Sequence, residues 1–427
     1  MSLQKDLPEL VEAGLIDQST ADRIQDYYLQ KKGNPSNRLF VVFGVLGAIL
    51  VGLGIILIVA HNWDQLPRMA KTVFAFLPLV IGQLLCAYAL FKKSDSLAWR
   101  ESSASFLFFA LGASIALVSQ VYNIPGNLSS YLLSWMLLSL PLLYVMRSSM
   151  SSLLYLLGIT YYACELGYWT FQAGEPYFYW ILLLLSLPHY YFLYKDRPKS
   201  NFLTFHHWMF PLSLIITLGT LSLGRWELMF VAYFSLFGVF YNLGQSPYFK
   251  KQATRNNGYS ILGSFGSIVL LLIMSFSWFW EDLRHSPFSA ENLLQAPELI
   301  GLFLLSLIAL GLFLWNTRTQ GLGSTRPVSL VFLVYIILFT LGMKYSFVVV
   351  VINLFTLLIG LLTVREGARH DRLGMLNYGL LIIAALVICR FFDTDLSFVI
   401  RGLLFVSVGV GFFVANYLML KRRRNHE

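Results

Sequence analysis

Charge is what this sequence has least of. Asp, Glu, Lys and Arg make up 12% of its 427 residues, while 57% are hydrophobic. A soluble domain carries about 25% charged residues. A soluble globule of this length has no interior large enough for that much apolar surface, so lipid must solvate it. Cysteine is nearly absent: Cys86, Cys164 and Cys389 each lie inside an apolar run, and none makes a CxxC pair. That excludes a secreted disulfide framework and reads as small buried hydrophobes. The first 38 residues contain acids and no apolar core of the signal-peptide type, so no cleavable signal is expected and the first span serves as the insertion signal. Phosphate loops, nucleophile elbows and HExxH pairs are missing. His189 and His206-His207 have no acid or cysteine at metal spacing, so neither a metal nor a cofactor is expected. The net charge of +9 does not form an aromatic-interleaved basic patch, which argues against nucleic acid as a partner.

What is present is a succession of apolar runs, each about 16–25 residues, near the length that crosses about 30 Å of hydrocarbon. They fall near 39–60, 69–91, 105–122, 131–146, 151–171, 178–194, 205–223, 227–243, 258–280, 298–315, 327–343, 345–364, 373–390 and 396–420. The expected fold is therefore all-α: a polytopic transmembrane helical bundle of about 14 spans (12–14). No interrupted helix at mid-depth is evident. The domain plan is a cytoplasmic helical hairpin and linker over 1–38, the bundle over 39–420 and a basic cytoplasmic tail over 421–427.

Loop charges set the orientation. With the N-terminus inside, alternate loops carry Lys92, Lys93 and Arg100; Arg147; Lys195, Arg197 and Lys199; Lys250, Lys251 and Arg255; Arg318 and Arg326; Arg365, Arg369 and Arg372; and the tail residues Lys421 to Arg424. Adding five before the first span puts 24 of the 31 Lys and Arg on one side, leaving Arg68, Lys71, Arg225, Arg284, Lys344, Arg390 and Arg401. The asymmetry recurs at every loop pair, which predicts both termini in the cytoplasm.

The soluble hairpin is read from Leu7, Leu10, Val11, Leu15 and Ile16, then Asp17–Thr20 as turn and N-cap, then Ala21, Ile24 and Tyr28 as a second stripe. So few apolar residues make a weak core, which suits a segment that docks on something.

Polar residues at membrane depth are the costly ones, and here they gather at the outer ends. His61-Asn62-Trp63-Asp64-Gln65 ends the first run, Ser119-Gln120-Val121-Tyr122-Asn123 the third, and Arg390-Phe391-Phe392-Asp393-Thr394-Asp395, with Ser397 and Arg401, joins the last two. Glu165 is the one acid well inside an apolar run. Each has a purely structural reading. Asn62 and Asp64 can cap a helix while Trp63 anchors at the interface. Gln120 and Asn123 can bond helices together. Arg390 can pair with Asp393, Asp395 or Glu165. Taken together on one face, Asn62, Trp63, Asp64, Gln120, Tyr122, Asn123, Glu165, Arg390, Asp393, Asp395 and Arg401 are the candidate substrate-binding residues.

Three stretches resemble the DUF2157 family of bacterial membrane proteins: the turn Glu12-Ala13-Gly14-Leu15-Ile16, the glycine-rich first run ending Ala60-His61-Asn62-Trp63-Asp64, and Arg390-Phe391-Phe392-Asp393 followed by Ser397-Phe398 and Arg401-Gly402. The middle, roughly 150–340, carries no resemblance. The resemblance implies residence in a bacterial cytoplasmic (inner) membrane, draws attention to the same outer motifs, and supplies no activity.

Three functions fit. Many spans with short loops suit a transporter or flippase-like protein that takes a small solute or a lipid-linked polar headgroup at the outer face. A membrane-embedded enzyme on a lipid-linked substrate would use Asp64, Glu165, Asp393 and Asp395 as acids or bases and Arg390 and Arg401 to hold phosphate. An assembly protein would dock a cytoplasmic partner through residues 1–33.

Overall fold

The computed structural model describes residues 7, 10–31, 63–169, 174, 176–222, 226–250, 252–285, 298–321 and 327–391, with single residues and short stretches between 397 and 417. No strand occurs among them. The chain divides into two compact units, Met1–Ala75 and Phe76–Glu427.

In the first unit, Gly14 has φ +69°, a left-handed conformation that glycine enters without steric cost. Its N–H donates to the Val11 carbonyl at 3.0 Å, and the Leu15 N–H donates to Leu10 at 3.0 Å. That is how a short helical turn ends. Helix α1 (Gln18–Lys31) follows. The Asp17 carbonyl receives the Thr20 and Ala21 N–H groups, and its carboxylate receives the Ser19 hydroxyl. The first arm of the expected hairpin and the whole of the first apolar run lie mostly or wholly outside the described residues. Past them, Trp63–Gln65 forms one 3₁₀ turn.

Among the described residues, eight helices are long and apolar enough to cross a membrane. They are α2 (Arg68–Lys92), α3 (Leu97–Tyr122), α4 (Leu128–Val145), α7 (Asn201–Leu218), α8 (Trp226–Gly244), α11 (Glu298–Gln320), α13 (Val348–Arg369) and α14 (Leu373–Phe391). Between them lie α5 (Ser149–Cys164), α6 (Tyr177–Asp196), α9 (Gly258–Met274), the amphipathic α10 (Ser277–His285) and α12 (Val331–Gly342). The sequence expects a spanning run at α5, α6, α9 and α12 too. Helix α5 stops short because the chain passes into a π turn at Glu165, and α9 because it breaks at Ser275. Prolines 78, 141, 188 and 211 sit inside helices, as a membrane interior tolerates.

Packing explains which helices are central. Helix α8 is 78% buried over its most apolar window, whereas α11 is 17% buried. On α11, Ile300, Phe303, Leu304, Leu307 and Ile308 form one exposed stripe, while Ala309 and Asn316 are buried on the other side. The helix is apolar all round, so the face that the bundle leaves uncovered suits lipid. Two cores meet at α8. One is built on Phe108, Met136, Tyr155, Ile159, Leu182 and Phe210, the other on Phe234, Leu271, Trp280, Phe332, Val348 and Ile382.

The loops sort into two ends. Arg100, Arg147, Lys195 and Arg197 line one cavity, and Lys199 and Arg255 line another. The Lys250 ammonium bonds the Gln320 side chain at 2.8 Å. All of these belong to loops that the charge alternation puts on one side. At the opposite ends, the Arg284 guanidinium donates to the Gly342 carbonyl at 3.0 and 2.9 Å and to the Ser346 hydroxyl at 3.1 Å.

Candidate functional site

The best-defined polar assembly among the outer-end motifs surrounds Arg390, and its centre is a break that the apolar pattern over 258–280 hides. Helix α9 ends at Met274, Ser275 and Phe276 form a turn, and α10 begins at Ser277. A helix end leaves carbonyls without donors. Here they are all served. The Leu272 carbonyl accepts from the Ser275 N–H at 3.2 Å and from its hydroxyl at 2.6 Å. The Ile273 carbonyl accepts from the Phe276 N–H at 3.3 Å. The Met274 carbonyl accepts from the Trp280 indole at 2.8 Å, and the Ser275 carbonyl from the Asn353 amide at 3.0 Å. Trp280 is fully buried, so its indole and the break are fixed together.

Arg390 closes this assembly from the last turn of α14. Its guanidinium donates to the Ser275 hydroxyl at 3.1 Å and lies 4.5 Å from the centre of the Phe276 ring. A cation over an aromatic face is attracted by the ring quadrupole, the more so away from water. The Asn353 amide nitrogen is spent on Ser275 and on the Val349 carbonyl at 2.8 Å, while its buried Oδ1 accepts nothing among the described residues. A planar donor and an amide acceptor thus converge on one turn.

The sequence expects Arg390 to pair with Asp393, Asp395 or Glu165. In the structure its guanidinium meets Ser275 and Phe276, a hydroxyl and a ring from the turn between α9 and α10. Asp393, Asp395 and Arg401 lie outside the described residues, as does Asn62.

The other candidates have local roles. Trp63 and Asp64 sit in the 3₁₀ turn, Asp64 exposed, and the Lys71 ammonium lies 5.8 Å from the Trp63 ring centre. Asn123 terminates α3 in a left-handed conformation, φ 50° and ψ 43°. Asn is among the few residues that tolerate this. Its N–H returns to Gln120, and the Ile124 N–H reaches the Ser119 carbonyl at 2.9 Å. Asn127 then opens α4 with a reciprocal capping box to Ser130. The second motif is therefore a helix stop followed by a helix start, with Gln120 and Tyr122 exposed beside it. Glu165 is half-buried and opens a π turn, Glu165–Trp169, whose Tyr168 hydroxyl donates to the Ile216 carbonyl at 2.8 Å. Such turns interrupt helices at sites under functional or packing demand.

Helix α3 packs mainly on α4 and α5, whereas α14 packs mainly on α13 and α9. The structure therefore brings Arg390 to Ser275 and Asn353, and does not pack the Gln120–Asn123 helix end against it. Sequence reasoning missed Ser275 and Asn353. Asn353 carried the usable signal, as an amide inside an otherwise apolar run. Glu101 was missed too: it is 9% exposed and belongs to a charged loop by sequence. Among the described residues no group of three or more His, Cys, Asp or Glu side chains is placed to hold a metal ion.

Residues 8–152 match the family model described as predicted membrane protein, DUF2157. This is the family that the N-terminal motifs resemble. A search of the curated proteins and of the solved structures finds no match.

Proposed function

We propose that this membrane protein is a transporter or flippase-like protein of about 14 spans, seated in a bacterial cytoplasmic membrane with both termini inside, which engages its cargo at the outer end of the bundle. The observation that carries the reading is the interrupted helix at Ser275–Phe276 with Arg390 and Asn353 gathered on it. Transporters place cargo where a helix is discontinuous, because the break frees backbone and side-chain polar groups inside the membrane. A guanidinium is suited to a carboxylate or phosphate of the cargo, and the Asn353 carbonyl oxygen to a donor on it. Of the other outer residues, Gln120, Tyr122, Glu165, Asp393, Asp395 and Arg401 are proposed as further polar contacts for the cargo.

The test is the purified chain in liposomes, with movement of a fluorescent phospholipid followed by dithionite quenching and solute uptake followed in parallel. Arg390→Lys keeps the charge and removes the planar donor set. It is expected to lower transport at least tenfold with thermal stability unchanged. A stable and fully active Arg390→Ala/Asp393→Ala double variant would remove the site from consideration.

A further inference from the structure

The other end of the bundle holds a second assembly, unrelated to the outer turn. A cavity of about 500 Å³ opens between α4 and α6, walled by Arg100, Arg147, His189, Lys195, Asp196 and Arg197. Four cationic side chains against one carboxylate leave it with a net charge of +3 when the imidazole is neutral. The residues come from three separate stretches of chain: the first turn of α3, the loop after α4, and the second half of α6 with the residue that ends it. Folding therefore concentrates like charge that the sequence spreads over nearly a hundred positions. Such a concentration is unfavourable unless an anion is met there.

Arg100 is held in place by backbone. Its Nε and Nη2 donate to the Met146 carbonyl at 3.0 and 2.7 Å, and Nη2 also reaches the Arg147 carbonyl at 3.3 Å. Those acceptors are neutral and orient the guanidinium; the nearest carboxylate, that of the adjacent Glu101, lies behind the wall and is occupied by Ser148, Ser149 and Met150.

His189 supplies the second, independent observation. It is 5% exposed and forms part of the same wall. Its Nδ1 lies 3.0 Å from the Leu143 carbonyl. A carbonyl only accepts, so Nδ1 carries the hydrogen, and Nε2 of the neutral ring is an acceptor. That Nε2 is buried and has no hydrogen-bond partner among the described residues. Its neighbour His206 differs: both of its ring nitrogens are engaged, by the Phe202 carbonyl at 2.7 Å and the Ser152 hydroxyl at 3.0 Å. A buried acceptor without a donor is costly, and native structures keep few of them.

We infer that this cavity binds a hydroxyl-bearing phosphate ester, with the phosphate among Arg147, Lys195 and Arg197 and the hydroxyl donating to His189 Nε2 once the side chains that cover this atom part on binding. The basic loops place the cavity at the level of one leaflet's headgroups, where basic pockets between membrane helices take anionic lipid. A lipid with a glycerol headgroup and a soluble glycerol phosphate share this chemistry.

The experiment uses the full chain in detergent micelles and three probes: short-chain phosphatidylglycerol, phosphatidylmethanol of the same chain length, and glycerol 3-phosphate. The first two have the same charge, and only the first has a headgroup hydroxyl. Binding is read by native mass spectrometry and by titration. Phosphatidylglycerol is expected to bind about five- to tenfold more tightly than phosphatidylmethanol, the worth of one neutral hydrogen bond. His189→Asn keeps a donor for the Leu143 carbonyl and removes the acceptor, so it should erase that preference while retaining phosphatidylmethanol binding. Arg147→Gln/Lys195→Gln/Arg197→Gln should weaken both lipids at least tenfold. Binding of glycerol 3-phosphate alone, sensitive to the same variants, would support the site and make its ligand a soluble ester. Equal binding of the two lipids by the wild-type chain, or charge variants that bind like wild type, would overturn the assignment. Neither result bears on the outer turn, whose test is transport.

Discussion

Glu101 offers the sharpest test of how the first core is held. Its carboxylate is 9% exposed and receives the Ser148 hydroxyl at 2.6 Å, the Ser149 N–H at 3.0 Å and the Met150 N–H at 2.9 Å. It thus caps the start of α5 from α3, while the adjacent Arg100 caps the end of α4. Hydrogen bonds to a charged group are worth about 1.5–3 kcal/mol each, and a carboxylate at a helix N-terminus adds roughly 0.3–2 kcal/mol, the sum being non-additive. Glu101→Gln keeps the length and turns an NH₂ toward donors, a loss of about 2 kcal/mol. Glu101→Ala strands three donors and is expected to cost about 3–5 kcal/mol, as removal of one partner from a buried charged network does. In a chain of this size that corresponds to a fall in Tm of about 3–6 °C. Tryptophan fluorescence during a thermal ramp in detergent reads it directly. The neighbouring Ser102 is exposed, so Ser102→Ala should stay within about 0.5 kcal/mol of wild type. If Glu101→Ala melts with the wild-type chain, Glu101 does not latch α3 to α5.

A cytoplasm-dependent reporter fused after Glu427 is expected to be active, and a reporter that works only after translocation would sink the inside-termini plan. Gly263→Ala should destabilise by about 1–3 kcal/mol through overpacking, since an added Cβ would lie 2.5 Å from the Tyr241 backbone nitrogen and 2.7 Å from the Phe237 carbonyl oxygen; an unchanged Tm would contradict the close approach of α8 and α9. The Ser19 and Thr20 side chains hold the Asp17 carboxyl below its usual value of 3.8. A depressed carboxyl stabilises above its unfolded pKa and loses that contribution as pH falls through the folded one. Hydrogen-exchange protection of α1, corrected for intrinsic rates, should therefore hold at pH 5 and decline only below about 3.8. Asp17→Asn, which still caps but does not titrate, should abolish the pH dependence, and a decline identical to wild type would refute the assignment.

The sequence was informative where structure is local. Membrane class and the positions of most helices follow from apolar runs and the start of α1 from Asp17, whereas Asn123 and Asn127, read as residues of a polar motif, turn out to end α3 and to begin α4. It was silent where a polar group's partner is distant. Glu101 meets donors 47 to 49 residues away and Arg390 meets Ser275 across 115. Neither separation leaves a periodic trace. A faint signal did exist at α5, which begins Ser148-Ser149-Met150 with no acid in its first turn. The break in α9 is invisible for a related reason: Ser275-Phe276-Ser277-Trp278 is apolar enough to continue a span, and only the Asn353 and Trp280 donors make stopping cheaper than continuing.

The length of α9 carries a further consequence. Seventeen residues of α-helix reach about 25 Å, whereas the hydrocarbon slab is about 30 Å thick. Helices α3, α11 and α13, at 26, 23 and 22 residues, have no such deficit. A spanning α9 would therefore be a few ångströms shorter than the hydrocarbon slab, which would draw the Ser275 turn inside its boundary. Membranes meet such a deficit by thinning around the protein, at a cost that grows with acyl-chain length. Reconstitution in lipids of increasing tail length is therefore expected to lower stability, as the Arg390 turn is drawn into a medium that its charge resists.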